Sequence, residues 1–195
     1  MEKNKSPRKF ILVLTAAVFV LTIAGCLYFA LFHTQVTRMM YPRKYQEYVT
    51  YYAEKYDIDP RLLYSVIRTE SNFNPKAESA AGARGLMQIT EITFEWIRKN
   101  IAAEENLTFS DLFDPEVNIR FGSYFLKYCL LRYDDDVETA AAAYHSGWGT
   151  VDGLLSQSQY SANGKTLDEY PYPQMRQYVK KITESYNKYK TLYKD

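Results

Sequence analysis

The sequence predicts a mainly α-helical protein with one membrane-spanning helix at its N-terminus. Residues 10–32 carry no charged side chain, and this segment is long enough to cross the hydrocarbon core of a bilayer as a helix. Most of the remaining chain has apolar residues at helical spacing. No run of alternating polar and apolar residues indicates a sheet, and no motif repeats along the chain.

The apolar segment is best explained as a signal anchor. Four basic residues precede it against one acid, which gives this N-terminal segment a net charge of +3: Lys3, Lys5, Arg8, Lys9 and Glu2. Basic residues next to a span are retained on the cytoplasmic side. The predicted organisation is a cytoplasmic tail at residues 1–9, a transmembrane helix at residues 10–32, a juxtamembrane connector at residues 33–41 and an extracytoplasmic domain at residues 42–195.

Two other interpretations of the apolar segment remain open. A cleaved signal peptide usually has a shorter apolar core, and no obvious small-x-small cleavage site follows Phe32. Residues 23–26 resemble a lipobox, in which Cys26 would be acylated, but residues 27–32 stay apolar where a mature lipoprotein normally becomes polar. Cys26 is otherwise a small residue within a membrane helix.

Helical patterns account for most of the extracytoplasmic domain. Asp59-Pro60 and Asp114-Pro115 each combine an N-cap carboxylate with a proline in the first turn. Asp135 and Glu138 form a capping-box pattern before an alanine-rich helix that ends at Gly147. Loops are expected at residues 107–113 and 156–173. The expected helices cover residues 42–56, 59–71, 90–101, 115–133, 135–144, 148–155 and 174–193.

Glu70 occupies an apolar position on the second of these helices. At about 100° per residue, it falls within about 20° of Leu63 and on the side that carries Val66 and Ile67. Burying an ionised, unpaired carboxylate is costly, so such a group keeps its proton to higher pH, as a general acid must. The alternative is a glutamate at a fraying helix end whose side chain reaches water.

The segment after Glu70 has the composition of a tight, ligand-facing loop. Asn74-Pro75 ends the helix in a turn, and Gly82 and Gly85 allow the backbone to fold back on itself. Small side chains surround these glycines, so main-chain groups could lie along a ligand near Glu70.

The segment from Glu70 to Ile89 closely resembles the signature of the lytic transglycosylase catalytic domain, of the goose-type lysozyme-like group. The resemblance covers roughly residues 41–189 and implies a lysozyme-like globular helical fold. The matching positions in the signature are Glu70, Ser71, Phe73, Pro75, Ala77, Ser79, Gly82, Ala83, Gly85, Leu86, Met87, Gln88 and Ile89.

Three later segments extend this resemblance. Residues 114–126 are similar to the family's D-x-x-x-N-I-x-x-G-x-x-Y segment. Residues 143–147 stand where the family carries alanine-tyrosine-asparagine-alanine-glycine, with His145 in place of the asparagine. Residues 175–179 resemble the family's E-T-R-x-Y-V motif, with Gln174 at the glutamate position. Substrate contacts that relatives make at His145 and Gln174 therefore do not transfer directly.

The resemblance implies a peptidoglycan-cleaving enzyme with one catalytic residue, Glu70. This acid would protonate the bond between N-acetylmuramic acid and N-acetylglucosamine, while the muramyl N-acetyl group stabilises C1. The sugar's C6 hydroxyl would then close a 1,6-anhydro ring. Tyr144 would lie beside the acid, where its hydroxyl could hydrogen-bond the carboxyl or the substrate. The expected substrate-binding residues are Ser79, Gln88, Tyr144, His145, Gln174 and Tyr178.

Several other functional classes are disfavoured. The chain outside the N-terminal segment has a net charge of −2, without the basic footprint of a nucleic-acid-binding domain. His33 and His145 are far apart in sequence, and no cysteine or histidine spacing resembles a zinc site. No phosphate loop or dinucleotide fingerprint occurs, so neither a metal nor a cofactor is expected. Cys129 is expected to be a small buried side chain.

The expected partners are peptidoglycan glycan strands and the membrane, with wall-remodelling or secretion machinery as a further candidate. A hydrolytic muramidase on the same fold and an inactive glycan-binding or scaffold module remain alternative functions. The sequence leaves open whether the protein serves growth, division, sporulation, secretion or DNA transfer.

Overall fold

A computed structural model describes residues 7–194 of the chain. The chain divides into two compact units, Met1–Pro42 and Arg43–Asp195. Within the described residues the secondary structure is helical, with two isolated β-bridges and no strand. The mainly α prediction is therefore confirmed.

The described part of the first unit contains one long helix, α1 (Pro7–Met40). Its segment Ile11–Met40 is long and apolar enough to cross a membrane. At 1.5 Å per residue, 30 helical residues extend about 45 Å, which exceeds the roughly 30 Å of a hydrocarbon core. The helix continues through most of the connector expected at residues 33–41. Residues 1–6 of the expected cytoplasmic tail lie outside the described residues.

The second unit contains seven α-helices and one 3₁₀ helix among its described residues. The 3₁₀ helix, Phe109–Phe113, lies in a segment that was expected to be irregular. Its capping box is formed by Thr108 and Asp111. The α-helices are α2 (Gln46–Tyr56), α3 (Pro60–Ser71), α4 (Glu91–Ile101), α5 (Pro115–Arg132), α6 (Val137–Ser146), α7 (Trp148–Leu155) and α8 (Pro173–Leu192).

Two predicted helix starts need correction. The helix expected from residue 42 begins at Gln46, because Tyr45 has a left-handed backbone with φ of 57°. The N-cap of α6 is Asp136 and not Asp135, which itself has φ of 60°. The Asp136 carboxylate accepts a hydrogen bond from the Thr139 backbone N–H at 2.8 Å, satisfying a group at the helix start that lacks an intrahelical partner.

The helices of the second unit pack around an apolar core, to which α3 contributes its buried residues 62–67. Helix α8 packs against α3 and α6, while α5 packs against α2 and α6. Leu63, Val66 and Ile67 on α3 are fully buried, as their spacing predicts. Cys129 on α5 is also fully buried, and burial raises the pKa of its thiol to about 12. It is therefore the buried small side chain that was expected.

Candidate active site

Glu70 lies in the last turn of α3, a helix whose start is fixed by its N-cap. The Asp59 carboxylate accepts a hydrogen bond from the Arg61 backbone N–H at 2.9 Å, and Pro60 occupies the first turn as predicted. Glu70 retains some solvent exposure, but protein atoms surround its carboxyl group. This burial raises the pKa of Glu70 from 4.5 to about 7. The helix therefore presents an acid that keeps its proton close to neutral pH.

The hydroxyl of Tyr178, on α8, donates a hydrogen bond to Glu70 Oε1 at 2.7 Å. This bond favours the carboxylate and opposes part of the pKa rise that burial causes. Tyr178 is buried, and burial beside Glu70 raises its own pKa well above 10. It therefore remains a neutral donor, and it fixes the direction in which the Glu70 carboxyl points.

Tyr144, on α6, has a different partner from either of those that the resemblance suggested. Its hydroxyl donates to the Met87 backbone carbonyl at 2.8 Å, so it holds the loop after α3. In this structure the carboxyl of Glu70 accepts its hydrogen bond from Tyr178. Tyr144 is nevertheless close to the acid, because the charge of Glu70 contributes to raising the Tyr144 pKa.

His145 packs its imidazole ring on the ring of Tyr178. The ring centroids are 4.4 Å apart and the planes differ by 12°. Burial lowers the pKa of His145 below its usual 6.5, which favours the neutral imidazole at neutral pH. The residue that replaces the family's asparagine thus supports the tyrosine that positions Glu70.

The loop between α3 and α4 turns back at two glycines with left-handed backbones. Gly82 and Gly85 both have φ of 76°, which a residue with a Cβ adopts only at a cost. A Cβ on Gly85 would also collide with the side chain of Asn118 and the carbonyl of Leu112. The two β-bridges, from Glu78 to Arg84 and from Arg84 to Ile89, close the loop on itself.

Asn118, a fully buried residue of α5, attaches this loop to the core. Its Oδ1 accepts from the Met87 backbone N–H at 2.7 Å. Its Nδ2 donates to the carbonyls of Arg84 at 2.9 Å and Leu112 at 2.8 Å. At the other end of the loop, Ser71 Oγ donates to the Leu86 carbonyl at 2.8 Å. The sequence placed Asn118 in a motif but did not predict that it holds the loop.

These elements enclose a cleft of about 270 Å³. The cleft brings together five of the predicted site residues, Glu70, Ser79, Gln88, Tyr144 and His145. Tyr178 is not among the residues that line it, and contributes through its bond to Glu70. The full lining is Glu70, Ser79, Ala81, Ala83, Gln88, Ile89, Thr90, Thr93, Phe125, Tyr144 and His145.

Gln174 is the predicted site residue that the structure leaves apart. It lies exposed in the first turn of α8 and, among the described residues, is not part of the cleft lining. Thr93 and Phe125 do line the cleft, although neither was among the residues predicted from the sequence. Phe125 falls within the helix expected at residues 115–133, and helical spacing cannot separate a core residue from one at the edge of a cleft.

The family model for the transglycosylase SLT domain matches residues 47–166, more than half of the chain. The chain belongs to the SLT domain family. The matched range includes the five predicted residues that line the cleft. Tyr178 and Gln174 follow it in sequence.

Curated proteins and solved structures give concordant matches. The soluble lytic murein transglycosylase of Salmonella typhimurium is 31% identical over 143 residues, 73% of this chain and 22% of that protein. The membrane-bound lytic murein transglycosylase C of Actinobacillus pleuropneumoniae is 28% identical over 169 residues, 75% of this chain and 46% of that protein. The crystal structure of the 70-kDa soluble lytic transglycosylase of Escherichia coli gives a TM-score of 0.73 at 27% identity.

The E. coli structure is matched over 89% of this chain and 27% of its own length. The chain therefore spans about a quarter of the length of the soluble relatives. These matches confirm the predicted lysozyme-like helical fold.

The cleft of this SLT domain contains one acid among its described lining residues, Glu70. Glu78, in the nearby loop, forms an ion pair with Arg84 at 3.0 Å. Glu91 is exposed at the start of α4. Over the described part of the chain, no group of three acidic, histidine or cysteine side chains could hold a metal ion.

Proposed function

We propose that this protein is a membrane-anchored lytic transglycosylase of peptidoglycan. It cleaves the β-1,4 bond between N-acetylmuramic acid and N-acetylglucosamine without water and leaves 1,6-anhydro ends. The observation that carries this proposal is Glu70, an acid with a pKa of about 7 at the wall of a cleft that has no second carboxylate among its described lining. Membership of the SLT family and the names of the relatives support the same activity.

A single acid suffices when the substrate supplies the second group. Most glycosidases use two carboxylates, roughly 5 to 9.5 Å apart, one as acid and the other as nucleophile or base. Here Glu70 gives its proton to the bridging oxygen as the bond from C1 to that oxygen breaks. The oxygen of the muramyl N-acetyl group bonds to C1 and takes the place of a protein nucleophile.

The second step returns the proton. Glu70, now a carboxylate, removes the proton from the C6 hydroxyl of the same sugar, and O6 attacks C1 as the N-acetyl oxygen leaves. The products are a 1,6-anhydro sugar, a free hydroxyl on the leaving sugar and a protonated Glu70. A pKa of about 7 suits both steps, because the group must give and accept a proton at the same pH.

The other cleft residues have free hydrogen-bonding capacity for a sugar. Ser79 Oγ accepts from the Ala83 backbone N–H at 3.0 Å, which leaves its hydroxyl proton available. Gln88 Nε2 donates to the carbonyls of Ala77 and Gly85. Among the described residues no group bonds its Oε1. This oxygen is therefore available to accept a hydrogen bond from the N–H of an N-acetyl group. We assign substrate contacts to Ser79 and Gln88.

The remaining predicted residues act less directly. Tyr178 positions the Glu70 carboxyl, and His145 supports Tyr178 while presenting its imidazole to the cleft. Tyr144 maintains the loop that carries Gln88 through its bond to the Met87 carbonyl. Gln174, exposed on α8, is assigned to the outer part of a longer glycan path.

The proposed location is the outer face of the cell membrane. Helix α1 is long and apolar enough to anchor the chain, and basic residues before it favour a cytoplasmic N-terminus. A relative is named as membrane-bound. An SLT domain held there faces the peptidoglycan layer that it cleaves.

The test is product analysis with the full chain in detergent on isolated peptidoglycan. Mass spectrometry of the wild-type digest should show anhydro-muramyl ends, and the Glu70→Gln variant should yield none above background. Reducing ends in place of anhydro ends would identify a hydrolytic muramidase and overturn the non-hydrolytic mechanism. Retained glycan binding without digestion by either protein would identify a binding or scaffold module.

A further inference from the structure

Both tryptophans of the chain lie in one group of side chains beside the cleft. Trp96 on α4, Tyr128 on α5 and Trp148 at the start of α7 have ring centroids 4.8 to 5.2 Å apart. We call these three residues the aromatic cluster. They come from three helices, so their meeting is a property of the fold and not of one helical stripe.

The aromatic cluster is continuous with the cleft. Phe125, which lines the cleft, has its ring centroid 6.1 Å from that of Trp96 and 5.8 Å from that of Trp148. Thr93 also lines the cleft and lies one helical turn before Trp96. His145 lines the cleft at the end of α6, and Trp148 begins α7 just after the break at Gly147. The rings therefore extend the cleft wall beyond Thr93, Phe125 and His145.

The three rings remain partly exposed to solvent. Among the described residues no acceptor bonds the indole N–H of Trp96 or Trp148. Neither N–H belongs to the buried polar atoms without a partner, which in the described chain are the hydroxyls of Tyr64, Ser123 and Ser185. Both indole N–H groups are thus open to solvent and available to a ligand.

A surface of this kind suits a sugar ring. A pyranose presents C–H groups on its faces and hydroxyl or N-acetyl oxygens at its edge. An indole offers an apolar face to the former and one N–H donor to the latter. Packing between α4, α5 and α7 alone explains the contacts among the rings, but it does not require two unbonded, accessible indole N–H groups.

The cleft is also too small to hold more than a short part of a glycan strand. Its volume of about 270 Å³ is below the roughly 300 to 1,000 Å³ of sites that enclose a drug-sized ligand. A glycan strand is a polymer, so sugars on either side of the bond cleaved at Glu70 must lie on neighbouring surface. The aromatic cluster is a neighbouring surface with the matching chemistry.

We propose that the aromatic cluster is a further sugar-binding subsite, which holds an N-acetylhexosamine unit of the strand outside the cleft. This inference rests on the proposed function for the identity of the polymer. It makes the affinity for a glycan depend on chain length, because only oligomers long enough to reach from Glu70 to Trp148 contact both surfaces.

The two tryptophans supply the readout, since all tryptophan emission from the chain arises in the aromatic cluster. The full-length Glu70→Gln variant in detergent is titrated with β-1,4-linked N-acetylglucosamine oligomers of two to six units, and calorimetry records binding in parallel. The hexamer should bind and produce a saturable change in emission, while the dimer should not change it. Hexamer binding with unchanged emission, or no hexamer binding, would overturn the inference.

A variant measures the contribution of one ring. Trp148→Ala should weaken hexamer binding about ten-fold, the loss expected when one stacked aromatic is removed, and leave dimer binding unchanged. Tyr51→Ala, which removes an aromatic side chain that is 57% exposed on α2, is the matched control. Its affinity for the hexamer should equal that of the Glu70→Gln protein in which both substitutions are made. Equal hexamer affinity for Trp148→Ala and Tyr51→Ala would contradict the subsite.

The wild-type background separates this inference from the proposed function. The Trp148→Ala variant with Glu70 intact should still yield anhydro ends. Its KM for long strands should be raised, and its kcat for short strands should be unchanged. An unchanged KM for long strands would refute the subsite and leave the cleavage reaction intact. Absence of anhydro ends from wild type itself would instead count against the proposed function.

Discussion

Asn118 and Ser123 are both fully buried polar residues of α5, but their side chains differ in hydrogen bonding. The Asn118 amide makes three hydrogen bonds to the backbone, two of them to the cleft loop. The Ser123 hydroxyl has no partner within the part of the chain that the structure describes. Replacing each by alanine should therefore change stability in opposite directions, although helix and burial are the same.

The magnitudes follow from the groups that each change leaves behind. Asn118→Ala strands the Met87 N–H and the Leu112 carbonyl, at about 1 to 3 kcal/mol for each buried unsatisfied group. The Arg84 carbonyl loses one of its two bonds and still accepts from the Ile89 backbone N–H. The free energy of unfolding should fall by at least about 2 kcal/mol, unless the loop detaches to reach water. Ser123→Ala removes a buried hydroxyl without a partner and should raise it by up to about 1 kcal/mol.

Urea unfolding of the full chain in detergent, followed by tryptophan emission, measures both values. Hydrogen exchange at residues 84–89 shows whether the loop has detached in Asn118→Ala. Cleavage of peptidoglycan should fall whether the loop detaches or only loosens, because Gln88 lies next to the lost bond at Met87. Two results would refute the reasoning: equal effects of the two substitutions, or an Asn118→Ala protein with wild-type stability and wild-type exchange in the loop.

Three further predictions concern the loop and the acid. Gly85→Ala should destabilise the protein by more than about 2 kcal/mol, because the new Cβ collides with its neighbours in addition to straining a left-handed backbone. Gly82→Ala adds the backbone strain without a collision and should cost about 1 kcal/mol. Similar urea midpoints for the two variants would contradict this prediction. Because the folded pKa of Glu70, about 7, exceeds its usual 4.5, binding of its proton favours the folded state. Wild type should therefore lose about 3 kcal/mol of stability relative to Glu70→Gln as pH rises from about 4.5 to above 7. A difference between the two proteins that does not change with pH would exclude the raised pKa. Tyr178→Phe removes the hydrogen bond that lowers the Glu70 pKa, so the alkaline limb of the kcat/KM profile should move to higher pH. The Tyr144 hydroxyl bonds the Met87 carbonyl instead, so Tyr144→Phe should leave that limb in place.

The helices of the domain were predictable because their signals are local. Asp59-Pro60 and Asp114-Pro115 mark helix starts through short-range capping, and both starts are found where predicted. Helical spacing places Glu70 on the apolar side of α3, but it left open a side chain that reaches water from the helix end. Asp135 was wrongly chosen as an N-cap because consecutive aspartates offer equivalent caps, and the left-handed turn that selects Asp136 depends on the preceding helix end.

The contacts that complete the site were not predictable in this way. Tyr178 lies 108 residues after Glu70, and no local pattern indicates which of 19 tyrosines reaches the acid. The resemblance pointed to Tyr144 beside the acid, and only the packing of α8 on α3 and α6 shows that Tyr178 makes the bond. Asn118 likewise acts through three backbone groups, two in the folded loop and one at Leu112 in the 3₁₀ helix, and no local pattern brings these together.

The proposed chemistry requires that Glu70 hold its proton near neutral pH, and ¹³C NMR titration of its side-chain carboxyl measures this directly. The resonance is assigned by its absence from the Glu70→Gln variant of the full chain. We predict a midpoint close to pH 7, moving upward in Tyr178→Phe. A midpoint near 4.5, the usual value for a glutamate, would contradict Glu70 as the general acid.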